Sequence, residues 1–505
     1  MCTNRIITNT VLALAAAMLI CPASAQQNHP APVGFLTPIA GQGEQEQTEA
    51  YVVDSQAVSV DLATLAALTP GSALSLNTIV GPTLAATVQR VEFREADRFT
   101  VAGRIDDTVM GYFIIVVEED VAVGIIDAPT LGVQFKLRSG PDGVQRIERI
   151  DNRLFPSDEI LHDGSNAPEG DDSPVEDPDT EPAFETPPEG IQTSACLPLT
   201  PVFDVLVVYT HLARIAAGGT NAIRAEALLA VETANVGYEN SVVNARMRLV
   251  GSNEVVYGES GGWGDHLDRL QDDDDGYMDV IHDWRDDLGA DFVSLFVIED
   301  GACGLGRCNS TSGTAFSVVN WGCAVSNFSF HHEIGHNQGC LHNRADSGEG
   351  CDGEDSYSYG WRFFGDSNDG WRTVMSYNND DGDFTRINWF SNPNVLYDGQ
   401  PTGVPLGDDN EAYNARTINN RAATVEGFRT SKFDVWVDFD YGGTERGSFS
   451  RPFDTVAEGQ SQVSNGFGAS EIPNLWIKAG SSPETVVLNK QMFVRSCGGT
   501  ATIGG

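Results

Sequence analysis

Residues 331–342 read His-His-Glu-Ile-Gly-His-Asn-Gln-Gly-Cys-Leu-His, and the rest of the chain is read outward from them. His332 and His336 are four residues apart, so on a helix they share one face with Cβ atoms roughly 5–6 Å apart. Two imidazoles so placed can bind one ion at Zn–N distances of about 2.0–2.1 Å. Gly339 then ends the helix, because glycine tolerates the left-handed turn that a sharp exit needs. The reversal brings His342 back as a third nitrogen ligand. Three protein ligands leave a fourth position open for water, which marks a catalytic rather than a structural zinc. Glu333 can reach that water as general base. His331 also precedes Glu333, but it lies five residues before His336, off the shared face, and is read as a packing neighbour. A bare HExxH occurs in helices that bind nothing; with the glycine and third histidine in place the pattern is far rarer.

A second element follows at residues 373–377, Thr-Val-Met-Ser-Tyr. A methionine after an extended HExxH motif is the Met-turn, here at Met375. With these motifs the chain resembles the metzincin zinc metallopeptidases, and among them the reprolysin-like group that includes bacterial peptidyl-Asp metallopeptidases. The similarity spans roughly residues 201–429. It takes in the strand Asp204-Val-Leu-Val-Val-Tyr-Thr, the strand Val293-Ser-Leu-Phe-Val and the stretch Cys303-Gly-Leu-Gly. The resemblance implies an α/β catalytic domain, a twisted mixed sheet with an active-site helix. It implies zinc held by His332, His336 and His342, Glu333 as catalytic base, and Met375 as an apolar floor beneath the imidazoles. Tyr377 is similar to a tyrosine of astacins and serralysins that helps stabilise the oxyanion. Asn343 departs from the aspartate that reprolysins usually carry there. The implied activity is a zinc-dependent endopeptidase acting on protein or peptide substrates and made as a zymogen. The alternative from another class is a zinc-containing adhesion or binding module whose C-terminal β unit carries the function.

The 505 residues are too many for one core. A formal charge of −42 argues against nucleic acid and anionic membrane as partners. Residues 1–25 read as a signal peptide: Arg5 supplies the positive region, Val11–Ile20 the apolar core and Ala23-Ser24-Ala25 a small-residue cleavage site. No later segment reaches 18 apolar residues, so a secreted chain without a membrane span is expected. Seven cysteines follow the leader: Cys196, Cys303, Cys308, Cys323, Cys340, Cys351 and Cys497. In an exported chain they suggest disulfides. Cys340 is expected to be bonded, with Cys351 as candidate partner, and the odd count leaves one thiol over.

Residues 26–156 read as a β-rich prodomain, with strands at Phe99–Arg104, Gly111–Val117 and Val121–Ile126. Residues 157–195 form an acidic, proline-rich linker: positions 157–190 hold twelve Asp or Glu, six Pro and no Lys or Arg. Such a composition cannot bury a core and is open to a processing protease. No thiol lies in 26–195 to plug a zinc site, so latency is expected from steric cover. Residues 196–430 form the catalytic domain. Within it, 221–240 reads as a helix with Ile223, Ala227, Leu228 and Val231 on one face. Ala315–Trp321 reads as the antiparallel edge strand to which a substrate peptide adds. The histidine helix is expected to start near Ser326 or Asn327, both good caps. Residues 431–505 form a small β-rich unit resembling the first coils of a parallel β-helix, with β-like runs at 474–478, 485–488 and 492–495. Asp272–Asp275 and Asn378–Asp383 are candidate calcium loops.

Overall fold

The computed structural model describes residues 33–40, 49–108, 110–158, 200–347, 351, 353–379, 382–464 and 466–504. The expected signal peptide and most of the acidic linker lie outside these residues.

The N-terminal part is a ten-stranded sheet built mainly as an antiparallel meander from Ala73–Asn77 to Gln145–Ile150, which closes onto Val52–Val60. Side chains alternate between faces along a strand, and both faces of Tyr112–Glu118 and Val121–Ala128 are buried. Phe113, Ile115, Val117 and Ile126 fill this unit's own core. Ile114, Val116, Val123 and Ile125 face the opposite way, into the core they share with the helix Thr220–Ser241. The buried ion pair between Lys136 Nζ and Glu226 Oε2, 2.6 Å, crosses the same boundary.

Residues 202–320 form a five-stranded sheet in the order Arg246–Glu254, Val202–Tyr209, Phe292–Val297, Phe316–Asn320, Gly304–Gly306. The first four are parallel and the last is antiparallel. Val202–Tyr209 is almost wholly buried, as a continuous apolar run requires when helices cover both faces. The edge strand differs from expectation. Phe316–Asn320 is internal, and Gly304–Gly306 is the antiparallel edge. The Gly-Leu-Gly triplet has little strand propensity of its own. It is held there by pairing with Val318 and by its closeness to Glu333.

The C-terminal unit contains a parallel sheet of Asp434–Val437, Asn474–Ser482 and Phe493–Ile503. Residues in register stack: Trp436 lies over Trp476 with ring centroids 5.4 Å apart, and Arg495 lies over Trp476 in turn. The β-like run expected at 485–488 is not a strand. Arg248 joins this unit to the central sheet, bonding both Asp204 and Asp434. No helix among the described residues is long and apolar enough to cross a membrane.

Candidate active site

The helix Ser329–Asn337 carries His332, Glu333 and His336, all buried. It begins later than the Ser326 or Asn327 expected as its cap. Phe328 precedes it in the left-handed conformation. Asn327 instead spends its side-chain amide on the Ser329 hydroxyl, 3.0 Å away. Gly335 lies on the underside of the helix; a Cβ there would stand 2.6 Å from Met375 Sδ, so glycine lets the methionine close up beneath the histidines. Gly339 exits at φ +84°, the left-handed turn expected of it, and returns His342 to the other two.

The three imidazoles converge. His332 Nε2 lies 3.1 Å from His342 Nε2 and 3.2 Å from His336 Nε2, and the latter two are 2.9 Å apart. Their tautomers follow from the outer nitrogens. His332 Nδ1 meets the Val374 carbonyl at 2.8 Å, and His336 Nδ1 meets the Cys340 carbonyl at 2.9 Å. A carbonyl only accepts, so each Nδ1 carries the hydrogen and each Nε2 presents a lone pair. Burial also holds all three imidazoles below their ordinary pKa, His336 down to about 4. Lone pairs pointed at one another repel unless a cation lies between them. Beside them Glu333 is fully buried, and neither carboxylate oxygen has a hydrogen-bond partner. Burial first, and the charge of Asp158 second, push its pKa well up. Three neutral nitrogens with an unpartnered carboxylate next to them fit a divalent metal with nitrogen preference, and zinc suits that donor set.

Glu333 is held from the sheet side by the edge strand. A Cβ at Gly304 would stand 2.6 Å from Glu333 Oε1, and one at Gly306 would stand 2.7 Å from the Glu333 carbonyl. Tyr377 stacks on His342 with ring centroids 3.9 Å apart. Asn343 accepts the Tyr377 backbone N–H at 3.1 Å, so the residue that departs from the usual aspartate fixes the Met-turn to the third histidine. His331 points away, its Nε2 2.9 Å from Asn388 Oδ1, and burial lowers its pKa to about 3.

Two residues that sequence reasoning passed over stand in the same cavity. Asp158, assigned to the linker, is buried with Oδ2 3.6 Å from His332 Nε2 and 2.9 Å from Arg386 Nη2. Its Oδ1 accepts from the Ser329 hydroxyl at 2.8 Å. The chain before it passes the entrance to the edge strand, where Cys303 N donates to Ser157 O at 3.1 Å. Phe155 stacks on Tyr51 over the Cys303–Cys323 disulfide. Asn152 brackets the Arg386 backbone, donating to its carbonyl at 2.8 Å and accepting from its N–H at 3.3 Å. The packed N-terminal segment therefore runs through Asp158, two residues beyond the boundary at 156 expected from composition.

Cys303 pairs with Cys323 and Cys308 with Cys351. Cys497 is also disulfide-bonded. This corrects the pairing expected for Cys340. Cys351 is taken by Cys308, and Cys340 is a buried free thiol within 3.8 Å of the Asn414 carbonyl. The candidate calcium loops use their own side chains. Asp272 and Asp275 accept backbone N–H groups two residues on, and Asn378 and Asn379 accept backbone N–H groups within their own loop.

The sequence profile of metallo-peptidase family M12 matches residues 200–391. Over 239 residues the chain is 38% identical to a peptidyl-Asp metalloendopeptidase of Stenotrophomonas maltophilia, covering 47% of this chain and 55% of that one. A protein of the same name from Xanthomonas campestris pv. campestris is 37% identical over 253 residues, covering 49% of this chain and 57% of the relative. A third, from Pseudomonas fragi, is 30% identical over 195 residues, 39% of this chain and 99% of the relative. The chain thus spans about half the length of the first two.

Proposed function

We propose, from the premise that this chain belongs to metallo-peptidase family M12, that it is an exported zinc-dependent endopeptidase, made as a precursor whose N-terminal part covers the active site. The observation that carries the activity is the buried Glu333, with both oxygens unpartnered, beside three converging imidazole nitrogens. His332, His336 and His342 would hold the zinc, which when bound supplies Lewis acidity at the scissile carbonyl. The rest is the work of this chain's side chains. Glu333 takes the proton of the attacking water on a carboxylate oxygen and passes it to the leaving amine. The Tyr377 hydroxyl lies where it can donate to a peptide carbonyl, as it does to the Asp158 carbonyl at 2.6 Å. The edge strand Gly304–Gly306 offers main-chain hydrogen bonds to an extended peptide, and Ser157 now takes the N–H of Cys303 just before it. Latency is supported by the same segment, since Asp158 fills the space a substrate would need. Export is supported by the leader-like residues 1–25 and by the disulfides. Cleavage beside aspartate is supported by the name shared by the relatives.

The deciding comparison is between Glu333→Gln and His336→Ala. Glu333→Gln keeps the shape and all three histidines, so it should retain zinc while proteolysis falls roughly 100- to 10,000-fold, the usual weight of a general base. His336→Ala should lose metal and activity together. Metal analysis and casein cleavage on folded protein read both. A Glu333→Gln enzyme as fast as its parent would end the mechanism. A parent that holds zinc yet cleaves no peptide once residues up to 158 are released would favour the adhesion reading.

A further inference from the structure

We propose that Arg386, with Ser329 beside it, is the receptor for an aspartate side chain of the substrate, and that Asp158 holds this place in the uncut chain. The inference rests on the peptidase reading and adds the residue that selects what is cut.

Arg386 is 1% exposed, and its guanidinium is committed almost entirely to this spot. Nη1 donates to the Asn327 carbonyl at 2.8 Å, and Nη2 donates to Asp158 Oδ2 at 2.9 Å and faces the Ser376 carbonyl at 3.4 Å. Nε is buried without a partner. Among the described residues Asp158 is the one carboxylate paired with it. The same carboxylate takes the Ser329 hydroxyl on Oδ1 and stands 3.6 Å from His332 Nε2, so the receptor adjoins the reacting centre.

Asp158 is also held as a peptide would be. The residue before it accepts from Cys303, which leads into the edge strand, and its own carbonyl accepts from Tyr377. The main chain is thus fixed on one side and the carboxylate on the other, with one methylene between them. That span admits aspartate and crowds the longer glutamate. Once the chain is cut beyond Asp158, this aspartate can leave while Arg386 stays. A buried guanidinium that has lost its carboxylate favours any ligand that brings one back, because truncating one side of such a pair leaves the other charge desolvated and unpaired.

The test uses the full chain with Asp158→Ala, cut at a protease site inserted between residues 160 and 195. Its substrates are blocked hexapeptides differing only in Asp, Asn, Glu or Leu at one central position. The Asp peptide should be cleaved at least about 100-fold faster in kcat/KM than the Asn peptide, as expected when a site built for a polar group is offered an analogue that cannot pair. On the same chain with Glu333→Gln, calorimetry should show the Asp peptide binding and the Asn peptide not. Adding Arg386→Gln should bring the Asp peptide down to the level of the Asn peptide, so that the ratio of the two kcat/KM values falls to about one. Arg386→Lys keeps the charge but not the fork; it should retain part of the preference, and it replaces the Gln variant should that one not fold. Cleavage and binding without preference for Asp, or a preference undiminished in the Arg386 variants, would overturn the proposal. Zinc-loaded Asp158→Ala protein that binds the Asp peptide selectively but cleaves none of the four would overturn the peptidase reading and leave the receptor standing.

Discussion

Replacing Gly304 by Ala is a test of how closely the edge strand sets the catalytic carboxylate. The added Cβ would stand 2.6 Å from Glu333 Oε1, 2.8 Å from its Cγ and 2.9 Å from its Cδ. Ordinary contact begins at 3.4 Å, so the carboxylate must retreat by 3.4 − 2.6 = 0.8 Å. The strand backbone is no obstacle, because Gly304 is not among the residues with positive φ. The strain falls on Glu333, which is fully buried. Overpacking of this kind costs about 1–3 kcal/mol of stability. A misplacement approaching 1 Å at a reacting group costs on the order of 100-fold in rate. The expected result is a folded protein with full zinc content and kcat/KM on a peptide substrate lower by about that factor, measured after the chain is cut between 159 and 199. The double variant with Glu333→Gln separates this cause from others. If Gly304→Ala acts only through the base, it should slow the Glu333→Gln enzyme no further. Full activity in Gly304→Ala, or an equal loss in the Gln background, would refute the reasoning.

Tyr377→Phe removes one hydroxyl and little packing, so turnover should fall about 10- to 1000-fold, the range for losing one donor to a developing oxyanion. Zinc content by metal analysis should be unchanged, and unaltered kinetics would reduce Tyr377 to packing on His342. In the N-terminal sheet, burial pushes the Asp127 pKa up to about 7. The unfolded chain gives up this proton near pH 4 and the folded chain near 7, so stability from this group is lost as pH rises through that window. Asp127→Asn should remove that slope in denaturant titrations between pH 4 and 8 and raise stability at pH 8 by a few kcal/mol at most, at about 1.4 kcal/mol per unit; an unchanged slope would contradict it.

The parts of the site legible in the sequence are those that local geometry fixes. Helical spacing alone aligns His332 with His336, and a glycine at 339 alone permits the return of His342. The strands Val202–Tyr209 and Phe292–Val297 were legible through the stretches 204–210 and 293–297 that carry the family resemblance, and both are almost wholly buried. The edge strand was hidden. Gly304-Leu-Gly306 is chosen for the room it leaves Glu333, and that choice erases the strand's own propensity. The late helix start at Ser329 is a tertiary effect too, since Ser329 and Asn327 spend their side chains at the Asp158 contact instead of capping. Arg386 and Asp158 are 228 residues apart, and neither carries a local pattern. Asp158 is simply the first of a dozen acids in a segment whose composition argues for a linker.

The charges in the cavity connect latency to selectivity. Arg386 pairs with Asp158 directly, and a zinc ion on the three imidazoles would add a second positive charge beside the same carboxylate. Removing one partner of a buried pair costs about 3–5 kcal/mol. In the uncut chain a dilute ligand competes poorly for that energy, because a tethered carboxylate acts at an effective concentration on the order of millimolar. Cutting beyond Asp158 leaves its bonds to Arg386, Ser329 and Tyr377 in place. It removes one tether, and the segment then depends on Tyr51–Phe155 stacking, Asn152 and the edge-strand bond to stay. In the proposed scheme a substrate aspartate would offer the same carboxylate to the same guanidinium and would leave as product. Were both proposals to hold, the residue silencing the precursor and the residue marking where substrates are cut would be of the same type, because one arginine would read both.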